Sequence, residues 1–355
     1  MSQVAPAVAL SHPGKSVLLL DCSIQGDASV ITLGGTGQPL AFAPGVRTRG
    51  AEVIAALPAA KTAAGFLAAV KAAPASQPAP APAASSGWGL LSRAAGTPPP
   101  APPAKPFDWQ AHSVNVSAAF PAGKAPPNLW AAPGGRSLYN LVPADEVLAT
   151  SAALRRALAS LGPDVIVIID TDAELAERTS SLLGIAAAKH LCMVLTSSWT
   201  DYQRLLDDAA NGLFAGLSWL ETNDPQCVAK IGAVVFNNVQ LLNKSKGEVC
   251  GSPGALPFTP PKAAMDSITD IVNHLHQMCS EATTNYKAFF DDPSAFGSAQ
   301  AFTHRYVTGL ATVPDKVWQD CHSKGMAVVV TTTGGEPAEK ATSQLNDVAK
   351  RMLFE

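Results

Sequence analysis

A Gly-Lys-Ser triplet near the amino terminus, residues 14–16, is the feature with the clearest chemical meaning. In a phosphate-binding loop such a triplet ends a glycine-rich turn and leads at once into a helix, whose first N–H groups face the anion. Here Ala9 stands where that loop needs its first glycine, and the triplet runs directly into the apolar segment 17–20. We therefore predict a turn that enters a buried strand rather than a phosphate site.

Two other groups of residues could do chemistry. Asp21 and Asp170 each end an apolar run, where a carboxylate can either bind a ligand or cap a loop. His274, His276 and Cys279 suggest a metal cluster, but they fall within one helical pattern. Histidines two positions apart on a helix point about 200° away from each other, so we expect no metal site there.

Composition excludes several classes of function. The chain has 355 residues, 47% of them hydrophobic, and a net charge of -3. It lacks the blocks of Lys and Arg that bind nucleic acid, and an apolar run long enough to cross a membrane. Its six cysteines form no Cys-x-x-Cys pair, which argues against zinc, iron-sulfur clusters and a disulfide scaffold. We predict a cytoplasmic protein with neither a nucleic-acid nor a membrane partner.

A segment rich in Pro, Ala, Ser and Gly, residues 74–106, interrupts the chain. Such a composition cannot bury enough apolar surface to offset the entropy of ordering, so we predict a linker or surface insertion between residues 1–73 and 107–355. The remainder alternates apolar runs with helical patterns, which predicts an α/β fold with a doubly wound, mostly parallel sheet and helices on both faces. Strands are predicted at 17–21, 128–132, 165–170, 191–196, 231–237, 310–313 and 327–331, and helices at 146–161, 173–187, 200–214, 263–290, 316–323 and 337–353.

Five segments together resemble one family. GKSVLLLDCSIQGDAS (14–29) is similar to the segment that follows the first helix of the ParA/MinD ATPases, a deviant Walker A branch of the SIMIBI class of P-loop NTPases. PNLWAAPGG (127–135) resembles an N-L-x-x-x-P-G segment of that family, and DVIVIIDTDAEL (164–175) its Walker B strand. KIGAVVFNNV (230–239) and GLATVPDKVWQDCHSKGMAVVV (309–330) resemble later segments. All five occur in the family's order.

The resemblance implies which residues would contact a nucleotide. Asp170 at the Walker B position would hold Mg²⁺ through water, and Asn237 would meet adenine. Asp21 and Pro314 complete the set of nucleotide-binding candidates. The residues alone leave other interpretations open: the two acids can cap loops or helix starts, and Asn237 can close a turn.

Two departures from the family pattern concern the reaction itself. The resemblance places the phosphate-binding loop before residue 14, yet residues 1–13 contain no K-G-G-x-G-K-T, so we expect the first strand to be missing or replaced. Ser23 stands where the family has a second Asp that helps to position the attacking water. Because phosphoryl transfer needs the cradle, the lysine, Mg²⁺ and water placement together, we predict no catalytic residues, no bound metal and at most weak binding of an adenine nucleotide.

The predicted function is that of a catalytically degenerate ParA/MinD-like protein, a pseudo-ATPase that acts as a structural or partner-binding subunit of a larger intracellular assembly. The resemblance implies a protein partner, or a homodimer, at the former nucleotide face. Two alternatives remain: an active ATPase whose P-loop is absent from this chain, and a non-hydrolysing adenine-nucleotide sensor. The Ala/Pro-rich composition is compatible with a cytoskeletal or ciliary assembly.

Overall fold

A computed structural model gives the backbone and side chains of most of the chain. It describes residues 4–33, 49–73, 106–119, 125–138, 141–171, 179–206, 212–227, 229–239, 260, 262–311 and 350. The Pro/Ala-rich segment, apart from residue 106, and the predicted elements at 316–323, 327–331 and 337–353, apart from residue 350, lie outside these residues.

The described elements alternate between helix and strand along the chain. In order they are α1 (Val4–Ser11), β1 (Ser16–Asp21), α2 (Asp27–Thr32), α3 (Arg49–Ala56), α4 (Ala63–Ala72), β2 (Val114–Asn115), α5 (Val116–Ala119), β3 (Leu129–Ala132), α6 (Val147–Ala159), β4 (Val165–Asp170), α7 (Thr179–Ala187), β5 (His190–Leu195), α8 (Trp199–Leu206), α9 (Leu213–Asn223), β6 (Lys230–Val239), α10 (Lys262–Ser280), α11 (Ala299–Tyr306) and β7 (Val307–Ala311).

The described strands form two sheets. One has the strand order β2-β3-β1-β4 and the other β5-β6-β7. All pairs are parallel except β2 with β3. This confirms the predicted α/β class with a mostly parallel sheet. Consecutive strands β4 and β5 each lie at the edge of a sheet, and no described strand pairs with their outer sides. That a first strand is missing or replaced stays a prediction.

Helices cover both faces of the two sheets. On one face a single apolar cluster joins α1 and the side chains of β1, β4 and β6, so this cluster spans both sheets. On the opposite face α4 and α6 cover the first sheet, whereas α8, α9, α10 and α11 cover the second. Helix α7 contributes buried side chains to both of these clusters. Strand β1 is covered on both sides, which explains its unbroken apolar run.

The amino-terminal segment is helical, which corrects one interpretation of the sequence. If the amino-terminal segment replaced the missing first strand it would have to be extended, but Val4–Ser11 forms α1. Pro6 lies in the first turn of the helix, where its missing N–H is not required. Val4, Ala5 and Val8 are buried in the cluster that spans both sheets. The segment therefore packs on a face of the sheet and adds no strand.

Several predicted helices differ in their limits. The helix predicted at 263–290 ends at Ser280, and the Thr284 hydroxyl lies within hydrogen-bond distance of the Met278 and Glu281 carbonyls, at 3.1 and 3.2 Å, just after its last turn. The helix predicted at 200–214 is two helices, and α9 begins only after Gly212, whose extended backbone interrupts the pattern. The strand predicted at 310–313 begins earlier, at Val307, directly after the unpredicted helix α11.

Among the residues that the structure describes, no helix combines the length and the apolar character that crossing a bilayer requires.

Candidate functional site

Two acidic residues lie side by side at the carboxyl ends of paired strands. Asp21 ends β1, Asp170 ends β4, and the two are register partners in the parallel pair. The Cys22 backbone N–H donates to the Asp170 carbonyl at 2.8 Å, which extends the pairing beyond the strands. Asp21 is fully buried and Asp170 half-buried. In doubly wound folds ligands bind at this end of the strands, so the predicted acids occupy the expected edge.

The Asp21 carboxylate is used inside the protein. Its Oδ1 accepts a hydrogen bond from the Ser23 backbone N–H at 3.0 Å. Its Oδ2 accepts from both the backbone N–H and the hydroxyl of Ser29, at 3.0 and 2.5 Å. Ser29 lies in the first turns of α2, where backbone N–H groups lack partners within the helix. Asp21 therefore ties the end of β1 to the start of α2, as the capping interpretation of the sequence proposed.

The glycine turn after β3 closes over the same carboxylate. The Gly134 backbone N–H donates to the Ser29 hydroxyl at 3.2 Å, and the Gly135 N–H donates to the Ser23 carbonyl at 3.0 Å. A Cβ atom on Gly134 would lie 2.6 Å from the carbonyl oxygens of Asp21 and Ser23. Only glycine fits at this distance. The motifs at 14–29 and 127–135, quoted separately from the sequence, thus form one packed unit.

Ser23 occupies the position at which the family resemblance implies a second acid. It is buried, and its hydroxyl accepts hydrogen bonds from the backbone N–H groups of Gln25 at 3.2 Å and Gly26 at 3.3 Å. Gly26 has a φ of 68°, a left-handed conformation that glycine adopts without strain. The Ser23 side chain consequently shapes the turn between β1 and α2.

The Gly-Lys-Ser triplet lies at the other end of β1. The Lys15 backbone N–H donates to the His12 carbonyl in a turn after α1, and Ser16 begins β1 opposite Val165. The triplet thus precedes a strand, as predicted. At about 3.3 Å per residue, Lys15 and Asp21 lie about 20 Å apart along the strand. The triplet and the acidic pair therefore lie at opposite ends of the strands.

The other nucleotide-binding candidates have different positions. Asn237 lies near the carboxyl end of β6 in the second sheet and is exposed. The register of β6 with β7 becomes irregular directly after Phe236, so Asn237 leaves the regular ladder. Pro314 lies outside the described residues. The structure therefore places Asp21 and Asp170 together in the first sheet and Asn237 in the second.

One side chain on the face that α1 covers is exposed. Helix α1 has eight residues and is about 12 Å long. Cys192, in β5, is partly buried against the cluster that contains α1. Val194, two residues later on the same face of β5, is 48% exposed. Val235, the register partner of Val194 in β6, is buried, so this exposure is local to β5.

Sequence analysis did not identify the polar contacts that follow β5. The Thr196 hydroxyl donates to Asp201 at 2.5 Å and accepts from the Ser198 backbone N–H at 3.1 Å. The Tyr202 hydroxyl hydrogen-bonds with His274 Nδ1 at 2.6 Å. Burial raises the pKa of the Tyr202 phenol above its ordinary value of 10.0. These contacts fasten α8 to β5 and α10.

The histidines of α10 contact different neighbours, in agreement with their predicted divergence. His274 faces Tyr202, whereas His276 Nε2 hydrogen-bonds with the Phe296 carbonyl at 3.2 Å. Cys279 is buried in the apolar core. Within the described part of the chain, no three His, Cys, Asp or Glu residues are grouped as a metal site would require.

Sequence comparisons give no assignment. No family model matches the chain, and no curated protein matches it.

Solved structures, however, match its backbone over nearly the whole length. Apo McdA from Cyanothece is 12% identical, with 98% of this chain and 92% of that chain covered and a TM-score of 0.52. The MinC–MinD cell division complex of Aquifex aeolicus is 14% identical, with 100% and 90% covered and a TM-score of 0.48. A ParA family ATPase from Chlorobium tepidum is 12% identical, with 98% and 89% covered and a TM-score of 0.46.

Identities this low concern the fold alone. The McdA match, together with the order of helices and strands, confirms the architecture that the motifs indicated. The chain has a ParA/MinD-like P-loop NTPase fold.

Proposed function

We propose that this chain is a catalytically degenerate ParA/MinD-like domain that binds a protein partner within a larger intracellular assembly. The observation that carries the proposal is the distance between the Gly-Lys-Ser lysine and the acidic residues, which a phosphate site must bring together. The only Gly-Lys-Ser sequence of the chain lies at the amino end of β1, about 20 Å along this strand from Asp21. A lysine there cannot neutralise a phosphate held beside Asp170.

The internal use of polar groups supports the same conclusion. The Asp21 carboxylate accepts hydrogen bonds from Ser23 and Ser29, and the Ser23 hydroxyl accepts from two backbone N–H groups. Positioning an attacking water would require breaking these buried bonds. Each buried donor left without a partner costs about 1 to 3 kcal/mol. We therefore assign both residues to the structure of the turn.

Partner binding is supported by the division of the sheet. Strands β4 and β5 present outer edges with which no described strand pairs, and such edges are places where another chain can add. By analogy with the family, the partner is a different protein or a second copy, bound at the carboxyl ends of the strands. A cytoplasmic complex, including a cytoskeletal or ciliary one, is the setting we propose.

A second candidate function is a non-hydrolysing adenine-nucleotide sensor. The half-buried Asp170 and the exposed Asn237 both lie near carboxyl ends of parallel strands, where such ligands bind. An active ATPase, the remaining alternative, additionally needs a phosphate cradle that residues 14–16 do not supply.

Sedimentation velocity with and without Mg²⁺ and ATP tests the proposal. Because the family dimerises across bound nucleotide, a degenerate chain should sediment identically in both conditions. ATP that raises the melting temperature without hydrolysis and without a change in mass would favour the sensor. A dimer that forms only with Mg²⁺ and ATP and dissociates as ATP is hydrolysed would contradict the proposal.

A further inference from the structure

An open groove lies beside helix α4, which covers the first sheet on the face opposite α1. The groove is lined by Leu67, Ala68, Lys71 and Ala72 of α4 and by Leu141, and it has a volume of about 380 Å³. Four of these five residues are apolar, and both alanines are exposed. A volume of this size is in the range of pockets that hold ligands. The groove therefore offers a mostly apolar surface that is large enough to take up further side chains.

Both ends of the Pro/Ala-rich segment are fixed at α4. Residues 74–105 of this segment lie outside the described residues. Ala73 directly follows α4, and its N–H donates to a carbonyl of the helix at 2.9 Å. At the other end, the Phe107 ring packs edge-to-face on Phe66 of α4, with 5.0 Å between the ring centroids. The Phe107 N–H also donates to the Ser160 hydroxyl at 3.1 Å. The segment thus leaves and rejoins the described chain at the helix that lines the groove.

The segment has a single apolar cluster, which lies in its middle. Trp88, Leu90 and Leu91 form this cluster and are the only large apolar residues between residues 74 and 105. Fourteen residues precede the cluster, 74–87, and fourteen follow it, 92–105. At about 3.1 Å per residue, a proline-rich arm of this length can extend over about 43 Å, whereas α4 is about 15 Å long. The cluster can therefore reach every part of the groove.

Attachment at both ends favours binding within the same chain. A short tether gives the attached group an effective concentration in the mM range, so that even weak apolar contacts are largely formed. Removing Trp and Leu side chains from water is favourable and needs no specific partner group. A separate protein at micromolar concentration would have to bind the groove far more tightly to displace the cluster.

Charge at the rim of the groove is complementary to the segment. Lys71 forms an ion pair with Glu146, and the neighbouring Asp145 is exposed, so the rim carries one more acid than base. The segment contains Arg93 and Lys105 and no acidic residue. Arg93 lies two positions after the apolar cluster, within reach of the two rim acids once the cluster is bound. Exposed ion pairs of this kind add little affinity, but they favour one orientation of the bound segment.

We propose that the groove beside α4 binds the apolar cluster of the same chain. The bound cluster divides the insertion into two proline-rich loops, each with both ends fixed to the surface of the protein. This inference goes beyond the proposed function, because it concerns the insertion and not the carboxyl ends of the strands.

Trypsin cleavage of the full chain tests the inference. The bond after Arg93 is the only tryptic site in the segment, since Lys105 is followed by Pro106 and trypsin does not cleave before proline. A bound cluster holds Arg93 against the surface, so cleavage there should be slow. Replacing both leucines, Leu90→Ser with Leu91→Ser, should speed cleavage after Arg93 about tenfold or more. Mass spectrometry of the fragments over time measures the rate.

Variants of the groove locate the binding site. Ala68→Glu puts a charge in the groove at an exposed position, and should speed cleavage after Arg93 as much as the serine substitutions do. Ala55→Glu on α3 is the matched control, because it makes the same change at an exposed alanine outside the groove, and it should leave the rate unchanged. Combining Ala68→Glu with the serine substitutions should give no further increase, since both remove the same contact. The melting temperature of each variant establishes that it is folded.

Three results would overturn the inference. Cleavage of the original chain as fast as that of the serine variant would mean that the cluster is not bound. An effect of the serine substitutions without an effect of Ala68→Glu would mean that the cluster binds elsewhere. A cleavage rate that rises on dilution would mean that the groove holds the segment of a second copy of the chain.

Discussion

Asp21 and Ser29 form a buried side-chain pair in which the carboxylate accepts from both the backbone N–H and the hydroxyl of the serine. The pair joins the end of β1 to the first helix that follows it. Gly134 then adds a hydrogen bond to the same hydroxyl. An acid that the family resemblance associates with nucleotide binding thus holds three chain segments together.

Replacing Asp21 should destabilise the protein. Asp21→Ala leaves the N–H groups of Ser23 and Ser29 buried without acceptors, and we expect a loss of about 2 to 4 kcal/mol in the free energy of unfolding. Asp21→Asn keeps one acceptor oxygen and should cost less. Urea unfolding followed by circular dichroism measures both. An alanine variant as stable as the original chain would contradict the structural role of this carboxylate.

A substitution of Gly134 should be more damaging than the same substitution in the Gly-Lys-Ser triplet. The new methyl group of Gly134→Ala would lie 2.6 Å from two backbone oxygens, which must move apart. We expect a cost of about 1 to 3 kcal/mol. Gly14→Ala is the matched control, because a Cβ there meets nothing within 4 Å. Similar melting temperatures for the two variants would contradict the packed turn.

Arg155 and Asp224 should be energetically coupled. Their side chains are 16% and 8% exposed, so removing either one leaves a poorly solvated charge. A double-mutant cycle with Arg155→Met and Asp224→Asn should give a coupling free energy of about 1 to 3 kcal/mol. Lys71→Met with Glu146→Gln provides a control at a more exposed ion pair, with an expected coupling below about 1 kcal/mol. Coupling no larger than the control would show that this bridge does not connect the helices firmly.

Stability should fall in alkaline solution. Burial raises the pKa of the Cys192 and Cys279 thiols to about 12 and raises the pKa of Tyr202 and Tyr306. The folded chain therefore keeps protons that the unfolded chain releases near its ordinary pKa values of 9.0 and 10.0. This stabilisation is complete below pH 8 or so and is lost as the pH rises through these values.

Melting temperatures between pH 7 and pH 10.5 measure this loss. Tyr202→Phe removes one of the groups and should make the decrease above pH 10 shallower, apart from a constant cost for the lost hydrogen bond to His274. A melting temperature that stays constant up to pH 10.5 would contradict burial of these groups.

The strands of the sheet could be predicted from the sequence because their apolar runs are continuous. The run at 165–170 coincides with β4, and the run at 17–21 lacks only Ser16 of β1. The family pattern placed the β1–α2 turn and the glycine turn in the right order. The family pattern at 14–29 also contains Ser29, which lies eight residues after Asp21. That serine is the sequence signal for the hydrogen-bond partner of Asp21.

Other features depended on contacts that no local pattern reveals. Helix α1 is apolar on nearly every side, so periodicity could not separate it from a strand. Helix α11 begins where Ser298 accepts from the Ala301 N–H, a cap that follows a short 3-10 turn rather than an amphipathic pattern. The Arg155–Asp224 pair joins residues 69 positions apart, and its recognition required the packing of three helices.

Phosphate release from ATP by the full chain, measured at steady state with Mg²⁺, tests the central claim most directly. We expect a rate equal to that of buffer, and the same rate for Lys15→Ala and Asp170→Asn, because neither residue belongs to a working phosphate site. The melting temperature of each variant establishes that it is folded. Turnover that exceeds the buffer rate and disappears in folded Asp170→Asn would contradict the account.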